Sequence, residues 1–289
     1  MRKLSGISAF TMVLLCTLNA QNYYQQGFFL RAGNSYTFSM PYSLPFNQWE
    51  NRTLTDSTAS IQTQYFSPGS GLYAHLGFGY QVNDIFRFGL DIGYQYSSSS
   101  TVKDIYSTRI DTIDFSFESP RTLKSNALLF TPEITFMLPM EYITRPYLRV
   151  GFPILIGVLQ EKNTVVLPSN NNFFDVIESH TNHVGRLTFG FSGAIGLEWV
   201  LSDNLFFFTE VRALGAHFTP KSSSLVKLEV NGVGELNQLA IYQKETVYER
   251  NLTFTTNDEL VANQPTKASP FNLPFNHVGI SAGLTIQLF

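Results

Sequence analysis

From His277 to Leu288 the chain alternates without a break. Val278, Ile280, Ala282, Leu284, Ile286 and Leu288 share one face of an extended segment, and His277, Gly279, Ser281, Gly283, Thr285 and Gln287 share the other. Successive side chains of a strand point to opposite sides, so this segment separates an oily medium from a small, polar one. The stretch Ile85 to Ser97 repeats the pattern. Phe86, Phe88, Leu90, Ile92, Tyr94 and Tyr96 lie on one face, and Arg87, Gly89, Asp91, Gly93 and Gln95 on the opposite one. Apolar outward with small and polar inward is the rule for strands that line a barrel in a bilayer.

The same reading predicts strands near Gly27 to Phe38, Ser70 to Val82, Asn126 to Leu138, Pro146 to Leu159, Val184 to Val200 and Leu205 to Phe218. With the two above this gives eight, although Pro132 and Pro153 each remove a ladder donor inside a strand. Short links at Val82 to Ile85, Pro139 to Arg145 and Leu201 to Asn204 alternate with long ones. The long ones are Ser39 to Gly69, Ser98 to Ser125, Gln160 to His183 and Thr219 to Asn276. The expectation is an all-β, antiparallel up-and-down transmembrane barrel of eight strands with long extracellular loops and both termini periplasmic. Inside the last loop Asn231-Gly232 is a hairpin signal between Leu225 to Val230 and Glu235 to Ala240. Those arms form either an extramembrane hairpin or two further strands of a ten-stranded barrel. Lys227 and Glu229 break an apolar face of bilayer height and favour the first.

Composition agrees with a lipid-facing wall. Charged residues make up 14% against roughly 25% in soluble domains, while the mean hydropathy of −0.01 excludes a bundle of membrane-spanning helices. No run of eighteen apolar residues follows residue 20. The net charge of −3 comes with scattered lysines and arginines, which excludes a nucleic-acid partner. Residues 1–20 read as a cleaved signal peptide, with Arg2 and Lys3 ahead of the apolar stretch Ile7 to Leu18 and a cut after Ala20. Residues 21–289 are then the barrel. Cys16 lies within the discarded segment, and Leu14 and Leu15 stand where a lipidation signal needs a small residue.

An ionised group facing hydrocarbon at the midplane costs roughly 2–4 kcal/mol, so charges on the strands must point inward. Arg31, His75, Arg87, Asp91, Glu133, Arg149, Glu198, Glu210 and Arg212 all have that parity. Four arginines balance four carboxylates, which predicts a lumen filled by ion pairs; a proton or ion path is the other use of such a set. Folding the chain about Asn83 sets His75 opposite Asp91, and folding about Glu141 sets Glu133 opposite Arg149. Glu198 and Glu210 come near each other across Asp203 and recruit Arg212 or Arg149. Tyr80, Phe86 and Trp199 beside the short turns, and Tyr36, Phe38, Tyr94 and Tyr96 beside the long loops, form two interfacial girdles.

Together with the Gly-aromatic run Leu76-Gly77-Phe78-Gly79-Tyr80 and the terminal Phe289, these features resemble the small outer-membrane β-barrel domain family that includes OmpA-, OmpX- and PorT-like proteins. The resemblance spans nearly the whole chain after the signal peptide and carries over no catalytic residue. It implies a bacterial outer-membrane location and contact with outer-membrane lipid and lipopolysaccharide. It also implies insertion by the barrel-assembly machinery, with Phe289 as the assembly signal. Phe289 has the parity of Thr285 and Gln287, one residue out of phase with the family's pattern.

Chemistry is sparse. His217-Phe218-Thr219 distantly resembles the His-x-Ser element of lipid A deacylases, with Thr219 in place of serine and no acidic partner on a suitable strand. His180 and His183, with Glu178 and Asp175, could hold a metal only if their loop were ordered; a solvated loop is the reading taken. The sequence therefore predicts neither cofactor nor metal. It predicts a non-enzymatic barrel with a plugged, ion-paired lumen and outer loops that contact a surface or envelope protein. A narrow channel or solute-uptake barrel, and a lipid A-modifying enzyme, are the alternatives.

Overall fold

The computed structural model describes residues 26–40, 48–54, 59–65, 67–110, 113–138, 144–168, 174–252 and 263–288. Expectations for the signal peptide, Cys16 and Phe289 lie outside them. The described chain closes into an antiparallel barrel of eight strands. The wall consists of β1 (Gly27–Ser39), β2 (Gly71–Gln81), β3 (Phe86–Ser97), β4 (Ile113–Met137), β5 (Thr144–Gly151), β6 (Phe191–Val200), β7 (Leu205–Gly215) and β8 (His277–Leu288). Each pairs with its sequence neighbour, and β8 returns to β1 from Phe28↔Leu288 to Ser39↔His277. The ring is complete without the Asn231 region, so the ten-stranded alternative is excluded.

The long connections differ from expectation. Much of what reads as loop is strand: Ser100–Ile110, most of Ile154–Pro168 and of Phe174–Gly185, and Pro220–Val230 continue the wall upward past the long-loop rim. Strand β4 is 25 residues long and pairs with β5 below and Ile154–Pro168 above in one register, Glu133↔Gly151 and Phe130↔Ile154. The partner is interrupted only at Phe152 and Pro153, where Phe152 N donates to Pro132 O at 3.0 Å. The prolines therefore break a strand locally without ending it. The tall sheet stands over β3 to β7, while β1, β2 and β8 stop at the rim.

The Asn231-Gly232 turn forms as expected. Both residues have positive φ, 52° and 80°, and Val230 pairs with Val233. The second arm does not form: after Val233–Gly234 the chain makes short helical turns at Leu236–Gln238 and Ile241–Lys244. At the opposite end Asn83 closes the first short turn, its Oδ1 accepting from Ile85 N and Phe86 N.

Burial alternates along the wall strands wherever their side chains are described. Outward residues such as Leu76 and Ile280 are 67% and 62% exposed, whereas the inward charged residues are buried. Two inward tyrosines fit because glycine faces them. A Cβ at Gly93 would stand 1.9 Å from Tyr73 Oη, and one at Gly196 2.4 Å from the Tyr147 ring.

Candidate functional site in the barrel interior

The inward side chains stack in layers from the short-turn end upward. Near that end Arg87 donates to Glu198 at 2.9 Å and to Gln81 Oε1 at 2.8 Å. Arg145 packs its guanidinium over Phe206, 5.0 Å from the ring centre. Asp84 lies in the adjoining turn, where burial pushes its carboxyl up and the Arg145 charge partly offsets that push.

The next layer centres on Glu210. Arg31 donates to it at 2.8 Å, Arg149 donates to its other oxygen, and Tyr147 Oη donates at 2.8 Å. Arg149 also donates to Glu133 at 2.8 Å, so one guanidinium bridges two carboxylates. Arg31 lies over Phe208, its Cζ 3.6 Å from the ring centre. Such charges are tolerable out of water only because they are paired and hydrogen-bonded.

Above this, His75 Nδ1 and Asp91 share a 2.7 Å hydrogen bond, and Tyr73 Oη donates to the other Asp91 oxygen at 2.9 Å. Arg212 covers the Tyr73 ring at 4.0 Å, and Gln95 Nε2 donates to Thr37 at 3.0 Å. Two nitrogens of Arg212 and both ring nitrogens of His277 are buried with no protein partner. Next comes an apolar layer of Leu129, Leu155, Leu214, Ala216 and Phe275, and then one of Leu123, Leu159, Phe218 and Leu273. Phe275 and Leu273 belong to the chain leading into β8, which bridges back to Phe218 and His217.

All nine inward charges named from sequence are buried. Several expected pairings shift. His75 lies directly across from Gly93, and Asp91 from Gly77; Arg149 faces Thr135, and Glu133 faces Gly151. Each pair meets along the diagonal, two residues from the anticipated register, which long side chains reach. Glu198 and Glu210 do not share a cation: Arg87 takes the first, and Arg31 with Arg149 the second. Arg212 forms no ion pair with either. The balance of four arginines with four carboxylates omits Arg145, read from sequence as part of a turn. Its odd number, shared with the inward Arg149, was the available signal. His277 has the inward parity but is not a member of the charged set, and Tyr73 and Tyr147, whose hydroxyls donate to Asp91 and Glu210, carry no charge signal.

Of the girdle residues, Tyr36, Phe38, Tyr80, Tyr94 and Tyr96 are exposed, and Phe86 and Trp199 are half-buried. They pack as edge-on or tilted pairs, Phe28 with Tyr80, Tyr36 with Phe38, Phe86 with Phe136, and Trp199 with Phe207.

The other chemical candidates are dispersed. His217 points outward at a bridge to Pro274, Phe218 points inward, and the Thr219 hydroxyl donates to Asn272. His180 and His183 sit three apart on the strand Phe174–Gly185, hence on opposite faces, and cannot chelate together. Among the described residues no cluster has metal-binding geometry. His183 turns inward and shares a 3.2 Å contact with Glu161, which Arg121 also meets at 3.2 Å. Burial raises the Glu161 carboxyl, but the His183 hydrogen bond and the Arg121 charge outweigh it and hold the group below its ordinary value.

No family model matches this chain, and no curated protein does either.

Proposed function

We propose that this chain is a bacterial outer-membrane barrel that performs no chemistry of its own. In this reading ion pairs and the apolar layers above them occlude the lumen, and the tall sheet contacts envelope or surface components. The carrying observation is the sorting of side chains between two media. Ile195 and Leu76 are 69% and 67% exposed on the outside, while Arg149 and Glu210 are 4% and 3% exposed inside. A water-soluble barrel would leave an apolar belt far larger than the few hundred Å² that soluble monomers expose. In a bilayer the same belt is satisfied and the ions are shielded from lipid.

Both termini then lie on the periplasmic side, and Phe289 serves the assembly machinery. The narrow-channel alternative loses its support with the ten-stranded ring. The lipid-modifying alternative loses it with His217, which stands exposed and has no carboxylate partner among the described residues.

Purified protein added to planar lipid bilayers should insert and give no steady conductance steps. On unboiled gels it should migrate as a compact species that shifts on heating. Regular conductance steps would overturn the occluded lumen, and failure to enter lipid would overturn the membrane reading itself.

A further inference from the structure

Where the tall sheet leaves the apolar belt, its outer face changes character within one residue row. Tyr96 pairs with Asn126, Asn126 with Val158, and Val158 with Val184. Two residues higher on each strand, about 7 Å along it, the outward residues are Lys124, Gln160 and Asn182. Lys124 Nζ lies 4.2 Å from the Tyr96 ring centre and donates to the Tyr96 hydroxyl. In the row above, Thr122, Lys162, His180 and Lys227 stand side by side on four paired strands.

Adjacent strands are about 4.8 Å apart, so Lys162 and Lys227 flank His180 from the two neighbouring strands. Burial, and then the neighbouring lysine charges, hold the His180 imidazole below its ordinary value. Lys162 is exposed and has no carboxylate partner among the described residues.

Acidic groups on this face lie farther from the belt. Glu178 and Glu229 occupy the next row and pair with Lys227 at 3.4 and 2.8 Å. Glu118 likewise lies beyond Lys103, which it meets at 2.8 Å. The order along the membrane normal is thus apolar, aromatic, basic, acidic. The outward faces of β1, β2 and β8 carry no charge at all, and among the described residues the basic row stands on the tall sheet.

We propose that Lys124 and Lys162, with His180 between the lysines of the upper row, form a docking strip for the phosphate groups of lipid in the surrounding leaflet. The strip rests on the membrane reading above and deepens it. A lipid phosphate enters at the level where its own acyl chains meet Val158 and Val184. The ring of Tyr96 holds the Lys124 ammonium beside the belt, and the outer carboxylates repel anions that rise higher. A soluble anion has no reason to seek that level.

The test is native mass spectrometry of the full chain in detergent, titrated with bisphosphorylated lipid A and with the same lipid stripped of phosphate. Wild type should retain the phosphorylated form preferentially. The double variant Lys124→Gln, Lys162→Gln should bind it about 25-fold more weakly, since each lysine near an anionic surface contributes about fivefold. Lys267→Gln, in the strand Thr266–Ala268 of the last loop, should change nothing. Equal retention of both lipids, equal binding by the double variant, or displacement by 10-fold excess inorganic phosphate would each overturn the strip. A wild type that inserts into bilayers yet ignores the phosphates loses the strip and keeps the membrane reading. One that never enters lipid loses both.

Discussion

The barrel wall and the sheet above it are built from continuous strands, yet they treat ions in opposite ways. Within the wall Arg149 meets Glu133 at 2.8 Å with side chains 5% and 7% exposed. Above it Lys103 meets Glu118 at the same 2.8 Å with side chains 52% and 54% exposed. The contact is identical and the surroundings are not. In the wall, losing one partner strands a charge out of water; in the sheet, the survivor is simply hydrated. The distance between two charged atoms is therefore a poor guide to what they contribute, and the medium around them is the better one.

The largest effect should come from breaking the buried side of that comparison. Arg149→Leu leaves Glu133 without its cation and Glu210 with only Arg31. The expected loss is about 3–5 kcal/mol, read as a lower unfolding temperature of the folded barrel in detergent. An unchanged temperature would sink the interior network. Next comes the outer face of the same wall. Leu76→Arg puts a cation into lipid and should cost roughly 2–4 kcal/mol in urea unfolding from vesicles. A neutral result would mean that Leu76 does not face hydrocarbon.

The smallest effect belongs to the sheet and depends on pH. The folded state holds Glu161 below its ordinary value of 4.5. Its contribution is therefore complete above that value, where the unfolded carboxyl is also ionised, and is lost as pH falls through the lower folded value. Glu161→Gln should cost about 1 kcal/mol at pH 7 and close the gap to wild type in acid, whereas Lys103→Gln should shift stability by less than about 0.5 kcal/mol at either pH. A gap that widens on acidification would reverse the sign and refute the assignment of His183 and Arg121 as its partners.

The same contrast explains what the sequence discloses. In the wall every second residue answers to a different solvent, so parity alone places Arg31, Asp91 and Glu210 inside. Parity repeats every two residues, which is why His75 and Asp91 could be anticipated as neighbours while their register slipped by two. Above the rim the outer face meets water instead of lipid, so Ser100–Ile110 and Pro220–Val230 carry Lys103 and Lys221 exposed without penalty. Their alternation fades and they read as loop. Arg145 was missed for a different reason, because it stands one residue before Pro146, where the alternating run is read to begin, and so falls in the short link. The layer around Phe275 depends on a chain segment folding back over the mouth, a tertiary choice that no local pattern encodes.

The junction between β1 and β8 joins the two ends of the chain through twelve residue pairs, Phe28↔Leu288 to Ser39↔His277. Those partners are the most distant in sequence anywhere in the ring, so zipping them carries the steepest entropic cost of any strand contact. Both strands stop at the rim, and β2 on the far side of β1 stops there too. The last join thus spans only the height of the bilayer, while the taller hairpins of β3 to β7 can be assembled from local contacts beforehand. Uneven strand length in this way leaves the slowest step of closure fewer pairs to align than the tall joins among β3 to β7.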